Sequence, residues 1–172
     1  TTGVWDVLVE AGESYGLRQV GMHAMNSLRI EKAYRHYGHD ITDADTPLEG
    51  GLGFAVKFDK PGGFVGREAL KRQKEAGLNK RLVQFLLGDP DPMLYHNEPI
   101  WRDGNLAGYV RSAMYGHTLG AAVALGYVEN PDGVDAEYVN SGTYEIEIAG
   151  VRYPATASLR PLYDPKSERI KA

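Results

Sequence analysis

The sequence predicts an α+β chain in two parts: mixed helix and strand over residues 1–77, then a small antiparallel β-barrel or sandwich over residues 78–172. Three observations predict it. Apolar residues recur at near-helical spacing at the start of the chain, and "REALKRQKEAG" has the composition of a solvated helix. From Lys80 onward, short apolar or alternating runs are instead divided by Gly, Pro, Asn and Asp, the punctuation of an all-β unit.

Val4, Leu8, Ala11 and Tyr15 predict a helix over 4–15, closed by Gly16. A short second helix is expected over Arg18 to Met25. From Ser27 the period changes. Leu28 and Ile30 alternate with Arg29 and Glu31, which predicts a strand with the apolar pair inward and the charged pair outward on one face. In "DTPLEGG", Thr46 stands three residues before Glu49, with Pro47 between them, the pattern of a capping box that Gly50 and Gly51 stop within about a turn. Phe54, Val56 and Phe58 predict another strand, "KPGG" a turn, and Gly77 the end of the charged helix. Strands are then expected in "RLVQFLL", "PIWRDG", "LAGYVRSAMYG", "AVALGYV", "TYEIEIAG" and "VRYPATASL". Asp103-Gly104-Asn105 and Ala149-Gly150 mark turns between neighbouring strands.

At 172 residues the chain is long enough to bury a core without disulfides or metal. It has no cysteine, which removes thiolate chemistry and cysteine-held metals. Its net charge of −4 argues against a general grip on nucleic acid or anionic membrane, and no apolar run approaches the length that spans a bilayer. The chain opens "TTGVWDVLVEAG", already inside a periodic apolar segment and without an initiating Met, so it reads as part of a longer polypeptide.

Arg29 and Glu31, two apart on the expected strand, would present a cation and a carboxylate side by side. On a solvated face such a pair contributes little. In a cleft the guanidinium forks onto a carboxylate or carbonyl oxygen of a ligand. His36, His39 and Asp40 do not have metal-site spacing on a strand, and turn hydrogen bonding or an interdomain contact suits the two histidines better. The glycines of "GGLGFAV" and "GGFVG" match neither a dinucleotide nor a triphosphate loop and are expected in tight turns. No G-x-S-x-G elbow is present, and Ser112 has no evident base partner in the sequence. Tyr34, Tyr37, Tyr109, Tyr115 and Tyr127 either line a pocket for a planar ligand or belong to the core with their hydroxyls at its rim.

The stretch "SLRIEKAYRHYGHDITDADTPLEGGLGFAVKFDKPGGFVGREAL" resembles the aminomethyltransferase family typified by the glycine-cleavage T-protein. The shared elements come in order: S-L-R-[LI]-E, Y-G-x-[DE]-[IL], T-P-x-E-[AG]-G-L, then Phe-Val-Gly before a basic helix. "HTLGAAVALGYV" and "YPATASLRPLYDPKSERIKA" are more similar to the ends of the FAD-dependent sarcosine and dimethylglycine dehydrogenases.

The resemblance implies the last part of a folate-binding layer over residues 1–77 and a jelly-roll-like β-barrel over 78–172. It implies tetrahydrofolate as the captor of a one-carbon unit released from an N-methyl amine, with FAD held by upstream domains of the same polypeptide. Arg29 matches the family arginine associated with folate binding, with Glu31 and Tyr37 expected beside it and Glu31 also a candidate to hold Arg29 in place. The family's upstream pterin-contacting segment and flavin fingerprint are not in this sequence, so folate, the upstream domains and self-association at an uncovered sheet are the expected partners. The compartment implied is the cytoplasm of a bacterium or the mitochondrial matrix of a eukaryote. A free-standing aminomethyltransferase and an interdomain docking module without ligand are the alternatives.

Overall fold

A computed structural model describes residues 1–171. Four helices, α1 (Thr2–Glu13), α2 (Met22–Glu31), α3 (Arg67–Ala76) and α4 (Ala136–Ser141), accompany six strands. The strands are β1 (Lys80–Leu87), β2 (Pro99–Arg102), β3 (Asn105–Gly116), β4 (Ala121–Glu129), β5 (Tyr144–Ile148) and β6 (Val151–Ser158). They close into one antiparallel barrel in the order β1-β4-β3-β2-β5-β6. Strands β2, β3 and β4 follow one another as hairpins and β1 returns beside β4, a Greek-key arrangement that leaves no edge unpaired.

All six expected strands form. Both expected turns form as well: Asp103-Gly104 and Ala149-Gly150 have positive φ at both central positions, the geometry whose twist matches a two-residue hairpin. The helix α4 was not expected. It is six residues long, too short for a periodic signal, and is started by Asp135, whose carboxylate accepts the N–H of Tyr138 at 2.7 Å.

The barrel interior is packed by Val83, Phe85 and Leu87 of β1 with Ala124, Val128, Ile100 and Ile146 from its neighbours. A second core lies outside the barrel wall, where Leu82, Val123, Leu125 and Tyr127 meet Ile30 and Ala33. Strand β4 is therefore buried on both faces, which explains why it reads as a nearly unbroken apolar run.

The strand expected from Ser27 does not form, and neither does the short helix ending at Met25. A single helix, α2, runs through to Glu31. Its buried positions are Ser27, Ile30 and Glu31, the i, i+3, i+4 stripe of a helix face, and two of the three are polar. Leu28 accordingly stands on the opposite side, 56% exposed. Around Phe54 there is one 3-10 turn, Gly53–Ala55, in place of a strand. Phe54 points outward, while Phe58 packs on Phe64, with Lys74 of α3 over its ring at 5.1 Å. The uncovered surface is therefore not a sheet. It is chiefly the face of α1, where Val4, Trp5, Val7 and Leu8 are all more than half exposed.

The capping box forms as the spacing requires: Thr46 N–H donates to Glu49 Oε2 at 2.8 Å and Glu49 N–H to Thr46 Oγ1 at 3.2 Å. Glu49 also accepts Gln73 Nε2 of α3 at 3.0 Å, and its carbonyl accepts the N–H of Leu82 on β1 at 2.8 Å. One turn thus ties the preceding segment to the barrel.

Candidate functional site

Helix α2 ends against the barrel wall. Ser27 Oγ donates to the carbonyl of Tyr115 at 2.7 Å, and Ile30 fills the outer core. Gln84 of β1, itself buried, donates Nε2 to the carbonyl of Ile30 at 2.7 Å and accepts the N–H of Leu162 on Oε1 at 2.8 Å. A helix C-terminus leaves carbonyls without partners, and Gln84 supplies one.

This anchorage sets Arg29, which lies in the last turn of α2, where a cation is favoured by the helix dipole. Its side chain is 15% exposed. Nη1 reaches Asp40 Oδ2 at 2.7 Å and the carbonyl of Tyr34 at 3.2 Å, Nη2 reaches Ser112 Oγ at 3.1 Å, and Nε reaches Asn26 Oδ1 at 3.3 Å. Four of the five guanidinium N–H bonds are used, which leaves one on Nη2. Asp40 is fully buried; it also accepts the N–H of His36 at 2.7 Å and the hydroxyl of Ser112.

Arg29 stands on the wall of a cleft of ≈ 460 Å³ between α2 and the chain after β6, with Val20, Met25, Leu28, Tyr34 and Ile170 as its apolar lining. Opposite, Lys32 closes the floor: Nζ donates to the Asp164 carbonyl at 2.5 Å and pairs with its carboxylate at 3.2 Å. Burial alone would raise the Asp164 carboxyl, but Lys32 and the N–H groups of Glu168 and Arg169 outweigh it and hold the group below the usual carboxylate range. Arg35, behind this cluster, is satisfied by the carbonyls of Gly50 at 2.9 Å and Ala33 at 2.7 Å. Burial lowers its guanidinium, and the charge of Asp40 partly offsets this.

Arg29 and Glu31 do not share a face. Two residues on a helix are about 200° apart, and Glu31 turns from the cleft into the barrel wall. There its Oε1 accepts the N–H of Thr118 at 2.7 Å and of Leu119 at 3.0 Å, and Oε2 accepts Thr118 Oγ1 at 3.0 Å. The residue that holds Arg29 in place is Asp40, with no direct bond from Glu31. Tyr37 lies in the turn after α2, 70% exposed, and is not among the residues lining the cleft. Of the other tyrosines singled out, Tyr34 lines the cleft, Tyr127 is buried in the outer core, and Tyr109 and Tyr115 are partly exposed on β3. The rings of His36 and His39 lie 4.5 Å apart, tilted by 44°, in the exposed turn; His39 lends its carbonyl to Arg111 Nε at 3.1 Å.

The sequence reading weighed Asp40 only beside the two histidines and Ser112 only as a nucleophile, and missed both as partners of Arg29. A signal for Asp40 existed in the Y-G-x-[DE]-[IL] pattern. Ser112 had none beyond being a small polar residue in an apolar strand.

Residues 80–164 match the family model described as the glycine cleavage T-protein C-terminal barrel domain, and residues 1–60 match the GCVT N-terminal domain. The chain is 45% identical over 168 residues to 4-methylaminobutanoate oxidase (formaldehyde-forming) of Paenarthrobacter nicotinovorans, covering 98% of this chain and 20% of that protein. It is 43% identical over 170 residues to the mitochondrial sarcosine dehydrogenase of Homo sapiens, covering 98% of this chain and 18% of the relative. The fold superposes on the crystal structure of the glycine cleavage system aminomethyltransferase T from Bartonella henselae with a TM-score of 0.78 at 25% identity, over 95% of this chain and 45% of that one.

Proposed function

The chain belongs to the glycine-cleavage T-protein family, and from that premise we infer that it forms one wall of a tetrahydrofolate site in a flavin-dependent enzyme that demethylates N-methyl amines. The observation that carries this reading is Arg29: a nearly buried guanidinium, held rigid on an apolar cleft, with one N–H uncommitted. A folate has a hydrogen-bonding heterocycle, an aromatic middle and an anionic tail, and a cleft of this kind suits its mixture of polar and apolar surface.

When bound, tetrahydrofolate supplies the nitrogen atoms that accept the one-carbon unit. This chain's part is to bind and orient. Arg29 donates to a folate oxygen, Met25, Leu28 and Tyr34 offer apolar surface, and Tyr37 is exposed for contact with ligand or neighbouring polypeptide. Glu31 serves from behind by fixing α2 to the barrel. Amine oxidation is assigned to flavin-holding domains outside this chain, and the compartment is that of the whole enzyme. The division near Gly77 to Lys80, between folate layer and barrel, follows the same reading.

A docking role without ligand is favoured by one observation, that four of the five Arg29 N–H groups already have partners within the chain. Arg29→Lys in the intact protein separates the two. Lysine keeps a cation near Asp40 but loses the fork, so the tetrahydrofolate dissociation constant rises at least about tenfold under the folate reading. Unchanged affinity with weakened association of the neighbouring domain supports the docking role instead.

A further inference from the structure

Strand β3 changes step at Arg111. Its pairing with β4 passes from Val110 opposite Gly126 to Ser112 opposite Leu125, so Arg111 is an extra, bulged residue. Before the bulge Val110 enters the barrel core. After it, Ala113 packs on that core and Met114 packs on the outer core under α2. Because side chains alternate with a period of two, one inserted residue exchanges the faces of all that follow. In an unbulged strand Ser112 would share the inward face of Val110. The bulge turns it out towards α2.

There its hydroxyl is used twice, donating to Asp40 Oδ1 and accepting Arg29 Nη2 at 3.1 Å. With the Arg29–Asp40 pair at 2.7 Å, the three side chains form a closed triangle in which every pair is bonded. The bulged Arg111 grips the carbonyl of His39, next to Asp40, at 3.1 Å. Two adjacent residues of one bulge therefore hold both the loop that carries Asp40 and the guanidinium itself. A long arginine side chain otherwise samples many rotamers.

Resting on the folate reading above, we propose that Ser112 is a positioning residue: the barrel, through the β3 bulge, fixes the plane of the Arg29 guanidinium and hence the direction of its remaining N–H. Ser112 touches no ligand itself. It acts through Arg29 and Asp40.

The test places Ser112→Ala and Ser112→Thr in the intact protein, with 5-formyltetrahydrofolate as titrant and a crystal structure of each variant. The alanine variant is expected to bind at least about tenfold more weakly, the equivalent of one net hydrogen bond, with Arg29 turned from its place. Threonine, which keeps the hydroxyl, restores both. An unmoved Arg29 in Ser112→Ala overturns the proposal, as does a displaced Arg29 with undiminished affinity. If the unsubstituted protein does not bind the folate but Arg29 moves in Ser112→Ala, the positioning role stands and the folate reading falls. Ser112→Cys, near in volume and a weaker donor, carries the same comparison should the alanine variant not fold.

Discussion

Glu31 reaches from the last turn of α2 to the turn between β3 and β4, where the N–H of Thr118 lies 2.7 Å from its Oε1. The carboxylate is 1% exposed and accepts three hydrogen bonds, two of them from consecutive backbone N–H groups. Such a group organises a turn as a bound anion would. Its removal leaves two backbone N–H groups and one hydroxyl without their acceptor, which costs more than a single net hydrogen bond.

Glu31→Ala should accordingly destabilise the fold by about 3 kcal/mol, since two backbone donors and one hydroxyl lose their acceptor. Glu31→Gln, which presents an amide to the same donors, should fall between. Urea unfolding followed by circular dichroism measures both. Equal stability of all three proteins would show that water replaces the carboxylate without cost.

Gly116 lies beneath that carboxylate. A Cβ placed there would stand 2.7 Å from Val123 Cγ2 and 3.1 Å from Glu31 Oε1. Its φ is not in the left-handed region, so the demand for glycine is one of space alone. Gly116→Ala should cost about 1–3 kcal/mol by overpacking. In a Val123→Ala background the cost should shrink, because the closest clashing methyl is gone; additive losses in a double-mutant cycle would contradict this.

Two carboxyls give the fold an acid limit. Burial opposes ionisation of Asp45, yet Lys80 at 2.7 Å and the N–H and hydroxyl of Thr42 outweigh it; Asp164 is held below the usual range in the same way by Lys32. A carboxyl lowered in the folded state binds fewer protons there than in the unfolded chain. Its contribution is present above the unfolded value of about 3.9 and is lost as pH falls through the folded one. The melting temperature should therefore drop below about pH 4. A variant carrying Asp45→Asn and Asp164→Asn should be less stable at neutral pH but flatter in acid. Parallel acid profiles for the two proteins would count against it.

The barrel was legible because its cues are local. Alternation and the Asp103-Gly104 and Ala149-Gly150 turns need no partner to be recognised. Helix α2 was not, because its buried stripe of Ser27, Ile30 and Glu31 is mostly polar, so hydropathy registers only the local alternation of Leu28 and Ile30. The Phe54 segment misled for the opposite reason: its apolar residue faces outward. Arg29 stood out by residue type and motif. Asp40 and Ser112 complete its cluster only through a hairpin bulge and a sequence separation of 72 residues, and neither shows in a single strand's pattern.

The face of α1 makes a prediction about association. Val4, Trp5, Val7 and Leu8 are exposed together, and none of the helix is buried. Contiguous apolar surface of this kind is seldom left uncovered. A protein of these 172 residues alone should self-associate through it. Light scattering should show mass rising with concentration, and Trp5→Glu should reduce the rise. A clean monomer across the range would rule this out.

Gln84 tests how the two halves of the site are joined. Its amide spans three elements: Nε2 reaches the Ile30 carbonyl at 2.7 Å and the Glu31 carbonyl at 3.2 Å, and Oε1 takes the Leu162 N–H at 2.8 Å. It sits on β1 between Leu82 and Leu86, both packed in the outer core, so leucine has the right shape for the position. Gln84→Leu would keep the packing while stranding the Leu162 N–H and taking one donor each from the Ile30 and Glu31 carbonyls, which keep the N–H groups of Ala33 at 2.9 Å and Tyr163 at 3.4 Å. The expected cost is about 1–3 kcal/mol, because the orphaned N–H is backbone and cannot be replaced along with the side chain. The loss should concentrate where the amide acted. Hydrogen exchange should quicken at Leu162 and in the chain beyond it, while the β2–β3 hairpin, which does not pair with β1, keeps its protection. Uniform loss of protection through the barrel would instead make Gln84 a determinant of the whole fold.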